Sequence, residues 1–404
     1  MCQFAKRRTG LVIFALVLIV YLFSFNGVWA TDHPSSFVQL DWAIWSGHTF
    51  AVKNSQVNTN PVFSMDDFPF NGAWYIASAP GSSLFSLPFA IPAFLLSGYT
   101  PFGYVLTFTE AFVSLMGAIS AYLMYEISKL FFKRESTSIF LALALAFSSL
   151  LWPFATYFFQ HDVSTAFVLL AFYLALKVST NLRELGGESG GLDRGGWTRN
   201  RIFRSTETIM LASCGFAVAA SILVDYVNTL LIPIVFVYLL YAFYGKTRIS
   251  RVLLVFLSTA FVGVAGVLAY NLMAFGREFT SSQNMYDGKG LMADFTTPLY
   301  KGLFINFSSP YRGLFLYCPI LILAPIGLYF MFRNRSDKSR ILFGIAIAVS
   351  IVVPYSMWQD VTAGVSFGPR FLIPAIPFIF CPWARSWRET KGRTQSPTFC
   401  TGWE

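Results

Sequence analysis

Long apolar runs recur along almost the whole chain, and they restrict its fold more than any other feature. Each run is about 20 residues long, which matches the thickness of a bilayer core when the run forms a helix. The sequence is 55% hydrophobic and only 12% charged, with a mean hydropathy of +0.57. An ordinary soluble domain carries about 25% charged residues. The sequence therefore predicts an all-α polytopic membrane protein and excludes a soluble globular domain.

The net charge of +9 does not indicate a nucleic-acid partner. The basic residues stand in short clusters between apolar runs, a distribution typical of cytoplasmic loops. The five cysteines are scattered and form no CxxC pair, so the sequence indicates neither a zinc site nor a disulfide framework. No A-x-A cleavage site follows the first apolar run, and we expect a retained helix there. We therefore expect the lipid bilayer to be the partner of this chain.

Positive charge sets the predicted orientation of the chain. A basic cluster at 6–8 precedes the first run, 11–30, and places the N-terminus in the cytoplasm. The short run 83–98 is broken by two prolines, and we interpret it as interfacial or re-entrant. Nine further spans then follow, near 104–128, 137–157, 163–179, 207–225, 229–245, 252–274, 314–332, 341–357 and 371–384. Only six of the 29 lysines and arginines then face outward, so we expect about ten spans, cytoplasmic termini and a plasma-membrane location.

The range 1–384 is predicted to form a single transmembrane domain. Its first outer loop, 31–103, follows the first span, and a Gly- and Arg-rich linker, 180–206, lies on the cytoplasmic side. Residues 385–404 lose all apolar periodicity, which is typical of a disordered or truncated tail.

The polar stretch 31–82 is unusual for such an apolar chain. It contains Asp32, Asp41, Asp66 and Asp67, although the whole chain has only 20 acidic residues. Carboxylates are costly in or beside hydrocarbon, so a loop that concentrates them is expected to use them. Other polar pieces fall on the same predicted outer face: 160–162, 225–226, 275–313 and 358–370. We expect the functional site on this face.

Several motifs occur in an order that resembles the membrane glycosyltransferases of the C-type fold. An acidic residue just beyond the first span is followed by a polar helix, the NGxxY and APGSSL motifs, and a proline-rich interfacial segment. Near the C-terminus come SSPYRGLFLYCPILILAPIGL (308–328) and WQDVTAGVSFGPRFLIPAIPF (358–378). Over about residues 10–384 the chain is similar to the family 39-like group, which includes protein mannosyltransferases and aminoarabinose transferases. It looks most like the uncharacterised bacterial and archaeal branch of that group.

The resemblance implies a sugar donor carried on a polyprenyl phosphate, an acceptor hydroxyl of unknown origin, and inversion at the anomeric carbon. It places the catalytic carboxylate in the first outer loop, where this chain has Asp32. Many relatives carry a second acidic residue there and a lysine just before the loop's Ala-Pro-Gly. This chain has His33 and Ser78 at those positions. Another cation must then bind the donor phosphate.

The predicted reaction needs a base for the acceptor proton, cations for the departing phosphate and an apolar groove for the lipid. Asp32 is the candidate base, and its alternative role is a helix cap before Pro34. Arg370 and Arg312 are the candidate phosphate ligands, because a planar guanidinium can form two parallel hydrogen bonds to phosphate. Lys301 is a further candidate for this role. Anchoring to lipid headgroups is the alternative role of Arg370.

The remaining candidates contact substrate in this interpretation. Asp66 and Asp67 could bind a sugar, a divalent cation or only solvent, and their turn-rich surroundings favour a turn. His161 and Asp162 open a span, where a sugar or acceptor contact competes with helix capping by Asp162. Tyr75 could stack on a sugar ring, although aromatic residues also form interfacial belts. No ligand set for a metal is indicated.

Two other functions remain open. A multi-span transporter or flippase would carry charged or Gly/Pro-broken residues at mid-span in two matching halves. Here the span centres are almost free of charge and the polar residues fall on one face. The other alternative is a catalytically degenerate relative. Asp225 and Tyr226 are expected to form a satisfied pair at the interface.

The predicted topology can be tested by cysteine accessibility. Ser55→Cys lies in the first outer loop and Arg194→Cys in the cytoplasmic linker. An impermeant thiol reagent added outside intact cells should therefore label only the first variant, with the parent chain as the control for its native cysteines. Equal labelling of both variants would contradict the topology.

Overall fold

Helices form nearly all of the regular structure, as the recurring apolar runs predict. The computed structural model describes residues 2–25, 32–52, 66–97, 102–187, 205–244, 249–288, 293–333, 338–364 and 366–380. The first part of the chain contains α1 (Cys2–Phe23), α2 (Asp32–Gly47), β1 (Asp67–Phe70), β2 (Ala73–Ile76), α3 (Gly81–Ser97), α4 (Phe102–Phe131), α5 (Glu135–Phe147), α6 (Leu151–Ala155) and α7 (Gln160–Gly187).

The second part of the chain is also helical. It contains α8 (Ser205–Val224), a 3₁₀ turn (Tyr226–Leu230), α9 (Leu231–Phe243), α10 (Ile249–Phe275), α11 (Ser282–Asp287), α12 (Leu299–Phe307), α13 (Leu314–Tyr317), a second 3₁₀ turn (Pro319–Leu323), α14 (Ala324–Arg333) and α15 (Lys338–Met357). A last 3₁₀ turn (Arg370–Ala375) leads into a helical segment that reaches Phe380.

Six helices of the described residues are long and apolar enough to cross a membrane. They are Thr107–Phe131, Gln160–Asn181, Thr206–Val224, Tyr226–Phe243, Ile249–Phe275 and Lys338–Met357. Each coincides with a predicted span. The all-α polytopic fold is therefore confirmed, whereas the count of ten is not, because the other predicted spans correspond to shorter or interrupted helices.

Prolines interrupt the helices in two of the predicted spans, 137–157 and 314–332. In the first, α5 ends at Phe147 and α6 begins only at Leu151. Pro153 has no N–H and its ring would clash with the carbonyl one turn earlier in a continuous helix. In the second, Cys318 leaves the helical region, with φ −136° and ψ 68°, because it precedes Pro319.

The polar stretch 31–82 contains regular structure on both sides of residues 53–65, which are not described. The expected polar helix is α2. The hairpin of β1 and β2 was not predicted, although Asn71 and Gly72 form its two-residue turn, each with positive φ (48° and 78°). Asn-Gly is a strong hairpin signal because both residues tolerate this conformation.

Helix α7 continues to Gly187, inside the predicted cytoplasmic linker. Residues 188–204 of that linker and the predicted tail 385–404 lie outside the described residues.

The polar pieces assigned to the outer face meet at one end of the helix bundle. The amide of Asn228, just after α8, donates to Ser164 Oγ at the start of α7 over 2.8 Å. Tyr355, at the C-terminal end of α15, donates to Asp225 over 2.5 Å. The ends of α7, α8 and α15 that precede or follow the predicted outer loops are therefore adjacent.

Helices α8 and α10 approach each other closely at a glycine. A Cβ atom at Gly263 would lie 2.4 Å from the backbone oxygen of Ala219, so the two backbones touch. Small residues are typical of such contacts between membrane helices. At Gly266 a Cβ atom would instead meet the Leu223 side chain at 3.0 Å.

This difference predicts unequal effects of two alanine substitutions on α10. Gly263→Ala must push α8 and α10 apart, and overpacking typically costs about 1–3 kcal/mol. Gly266→Ala is the matched control, because the Leu223 side chain can move and alanine favours a helix. In detergent, Gly263→Ala should lower the midpoint of thermal unfolding and Gly266→Ala should leave it nearly unchanged. Equal midpoints would show that the α8–α10 contact is looser than described.

Candidate active site

The first half of α2 lies against the hairpin strand that carries Asp67. Ser36 Oγ donates to Asp67 Oδ1 over 2.8 Å. Asp32 is the first residue of α2 and stands four residues before Ser36, so both occupy the same face of the helix one turn apart. The side chain of Asp32 lies outside the described part of the structure. Its roles as a base or a cap both stay predictions.

The hairpin is anchored on the end of α10 by aromatic rings. The Tyr75 ring centroid lies 5.2 Å from that of Phe275, and the Phe68 ring stacks on Phe275 at 6.0 Å. The carbonyl oxygen of Asp66 accepts a hydrogen bond from the N–H of Ala77 over 2.7 Å. Tyr75 is thus a packing residue in this structure, and stacking on a sugar stays a prediction. Asp66 and Asp67 stand at the edge that faces α2.

His161 and Asp162 are fully buried at the beginning of α7. The His161 ring packs against aromatic rings, including that of Phe371 at 5.5 Å. Neither carboxylate oxygen of Asp162 has a hydrogen-bond partner among the described residues. Capping would require a bond to a backbone N–H, so the capping interpretation of Asp162 is wrong. An unpartnered buried carboxylate is costly and is a candidate for a functional group.

Aromatic contact also joins α2 to the segment before α7. The rings of Phe37 and Phe158, both fully buried, lie 5.2 Å apart. Phe37 stands on α2 five residues after Asp32, and Phe158 stands four residues before Asp162. The start of α2 and the start of α7 are therefore neighbours at this end of the bundle.

Arg370 is buried between two aromatic rings. Its guanidinium carbon lies 4.9 Å from the ring centroid of Phe159 and 5.4 Å from that of Phe371. Its Nε has no hydrogen-bond partner among the described residues, and only 8% of the residue is exposed. The carboxylates of Asp66 and Asp360 act electrostatically on it. The aromatic faces hold the cation by cation–π attraction without using its N–H groups.

Arg312 is also buried, but its terminal nitrogens donate hydrogen bonds to carbonyl groups of a neighbouring loop. One terminal nitrogen donates to the carbonyl of Gly368 over 3.2 Å and the other donates to the carbonyl of Gly364. Gly368 has φ +64°, and a Cβ atom there would lie 3.0 Å from the Leu150 side chain. Arg312 therefore holds the turn that immediately precedes Arg370.

Tyr355 packs against Phe371, one of the two aromatic residues that contact Arg370. Its ring stacks on that of Phe371 with centroids 4.6 Å apart and an angle of 14° between the planes. Its hydroxyl donates to Asp225, which also accepts from the N–H of Val227 over 3.1 Å. The expectation that Asp225 is satisfied is confirmed, although its partner is Tyr355 instead of Tyr226.

The structure brings together most of the predicted site residues, but not Lys301. Lys301 is exposed on α12, and no hydrogen bond or ion pair of its side chain is found within the described part of the chain. Three supporting residues escaped sequence reasoning, namely Phe159, Tyr355 and Phe371. Their only signal is an aromatic residue beside a predicted polar group, which is common in such an aromatic chain.

The described residues contain no group of three or more His, Cys, Asp or Glu side chains that could hold a metal ion. Two carboxylates of the site, Asp66 and Asp67, are adjacent in sequence, and Asp67 already accepts from Ser36. A divalent cation at the hairpin stays a prediction.

Comparison with solved structures identifies the fold. ArnT from Cupriavidus metallidurans bound to undecaprenyl phosphate is 14% identical, with a TM-score of 0.53 over 95% of this chain and 62% of that chain. Its apo state gives a TM-score of 0.58 at 12% identity over 96% and 62%. The Archaeoglobus fulgidus oligosaccharyltransferase tethered with an acceptor peptide is 10% identical, with a TM-score of 0.60 over 96% and 50%.

These proteins are glycosyltransferases of the C-type fold, and the chain spans less than two thirds of the length of either. No protein-family model matches the sequence, and no curated protein matches it. At identities of 10–14% the similarity establishes the fold. The fold that the sequence motifs predict is thereby confirmed.

Proposed function

Because the chain has the fold of the C-type membrane glycosyltransferases, we propose that it transfers a sugar from a polyprenyl-phosphate donor to an acceptor hydroxyl. Among its solved neighbours, ArnT is bound to undecaprenyl phosphate and the archaeal oligosaccharyltransferase AglB is in complex with dolichol phosphate. The observation that carries the proposal is a convergence at one end of the bundle. The start of α2 contacts the hairpin strand of Asp67 and also contacts Phe158, in the segment before α7. Phe159 of that segment supports Arg370, on which the charge of Asp66 acts.

The proposed reaction is a single displacement with inversion. The acceptor oxygen attacks the anomeric carbon while the bond from that carbon to the phosphate oxygen breaks. The phosphate leaves with the electron pair, and Asp32 takes the acceptor proton. Asp66, Asp67, His161 and Asp162 contact the sugar or the acceptor. All of these groups face the outside of the plasma membrane in this proposal.

Arg370 binds the donor phosphate in this mechanism. Its guanidinium is held over aromatic faces, so its N–H groups are left for an anionic ligand. A charge-assisted bidentate contact is stronger than a neutral hydrogen bond, and a partly dry site strengthens it further. Arg312 donates to two carbonyls and acts chiefly by fixing the turn before Arg370. Lys301 remains the alternative contact for the phosphate. Anchoring to lipid headgroups remains the alternative role of Arg370.

The proposal is tested with purified protein in liposomes that contain radiolabelled polyprenyl-phosphate sugars. Formation of labelled acceptor, dependent on the lipid-linked donor, supports sugar transfer. Movement of the label across the bilayer without transfer would instead indicate a flippase or transporter. Absence of both activities across a panel of donors and acceptors would favour a degenerate relative.

The first prediction concerns the base. Asp32→Asn keeps the size of the side chain but removes the basic oxygen, so turnover should fall by about a hundredfold or more. Donor binding should be unchanged. Glu278→Gln, at an exposed loop position, is the matched control for loss of one carboxylate. A variant that keeps most of its turnover would move the role to Asp66, Asp67 or Asp162.

The second prediction concerns the phosphate ligand. Arg370→Ala should raise the KM for the donor strongly, and Arg370→Lys should restore it only in part, because a point charge lacks the planar fork. Ser78→Lys in the Arg370→Ala background should recover some activity. Ser78 follows Ala77, whose N–H bonds to Asp66, and the charge of Asp66 acts on Arg370. Parent-like kinetics of Arg370→Ala would leave the arginine as an anchor only.

A further inference from the structure

A buried carboxylate with no role in the proposed mechanism lies where α2 crosses α3. Asp41 is fully buried, and its two carboxylate oxygens lie 3.1 and 2.9 Å from Ser86 Oγ on α3. One turn earlier on α3, Ser83 Oγ donates to the carbonyl of Phe37 over 2.9 Å. Phe37 and Asp41 are four residues apart and share one face of α2.

The serine hydroxyls at this crossing have other acceptors besides the Asp41 carboxylate. Each serine hydroxyl has one hydrogen. Ser83 donates its hydrogen to Phe37, and Ser86 also lies 3.0 Å from the carbonyl of Ser83. If Ser86 donates to that carbonyl, no serine hydrogen remains for Asp41. A proton on Asp41 supplies the missing hydrogen, because the carboxylic acid can donate to Ser86 Oγ.

The charges around the crossing also disfavour an ionised Asp41. Helix α3 and strand β2 contain no charged residue, and Tyr75 is the titratable group of β2. In its outer half, α4 contributes Glu110, and α7 begins with His161 and Asp162. Burial raises the pKa of Asp41 well above its usual value, and the serine hydrogen bonds lower it by less. No basic side chain in the described part of these elements compensates a negative charge at Asp41.

We propose that Asp41 is a positioning residue, held as a neutral carboxylic acid that donates a hydrogen bond to Ser86 and fixes α2 on α3. A second bond, from Ser36 to Asp67, fixes the same helix on the hairpin. Two attachments along one short helix set its axis, and Asp32 lies in its first turn. The orientation of the proposed base therefore depends on Asp41, and this part of the inference rests on the proposed function.

The test compares Asp41→Asn with Asp41→Ala in the transfer assay. An asparagine amide can donate to Ser86, so Asp41→Asn should keep kcat within about threefold, whereas Asp41→Ala should lower kcat about tenfold and leave the donor KM nearly unchanged. Ser46→Ala, on an exposed turn of α2, is the control and should match the parent. Equal loss of activity in the Asn and Ala variants would overturn the proposal.

A second measurement does not depend on activity. A carboxyl group whose pKa is higher in the folded state stabilises the fold less as pH rises from its unfolded pKa of about 3.9 toward its folded pKa. The thermal midpoint of the parent should therefore fall with rising pH relative to that of Asp41→Asn. A midpoint difference in the opposite direction would mean that Asp41 is ionised in the fold and would refute the neutral acid. This result is informative even if no sugar transfer is found.

Discussion

A charge buried beside hydrocarbon is costly unless a partner compensates it, and the polar end of this bundle is organised by that constraint. Some buried polar groups are engaged in hydrogen bonds: Asp225 accepts from Tyr355 and Val227, and the terminal nitrogens of Arg312 donate to the loop that follows α15. These groups hold the backbone in place. Asp162 has no hydrogen-bond partner among the described residues, and the Arg370 guanidinium lies over two aromatic faces with its Nε unpartnered among those residues. Buried polar atoms without a partner are candidates for contact with a polar ligand.

Aromatic residues position the polar groups of this site, as side-chain hydrogen bonds do in a more polar site. Phe159 and Phe371 hold the Arg370 guanidinium, and Tyr355 stacks beneath Phe371 while its hydroxyl reaches Asp225. A cation supported in this way keeps its N–H groups available, which suits the recognition of a phosphate oxygen. In the proposed mechanism Ser78 supplies no cation, so binding of the donor phosphate depends more on Arg370.

Sequence reasoning succeeded where one local property decides the structure. Apolar length predicts the six membrane-crossing helices, and the order of the motifs predicts the fold. It missed the breaks at Pro153 and Pro319, although both prolines were visible, because the apolar runs continue through them. It also missed the hairpin, whose Asn71-Gly72 signal was interpreted only as a turn. The contacts of Arg370 with Phe159 and of Asp41 with Ser86 join distant segments, so only the tertiary structure reveals them.

In the proposed mechanism, one end of the bundle binds a lipid-linked phosphate between Arg370 and the first turn of α2. A cryo-electron microscopy map of the chain in nanodiscs with undecaprenyl phosphate tests it most directly. We expect phosphate density within hydrogen-bond distance of the Arg370 guanidinium, on the side that faces Asp66 and α2. Phosphate density beside Lys301 on α12, or at the opposite end of the bundle near Arg340, would contradict it.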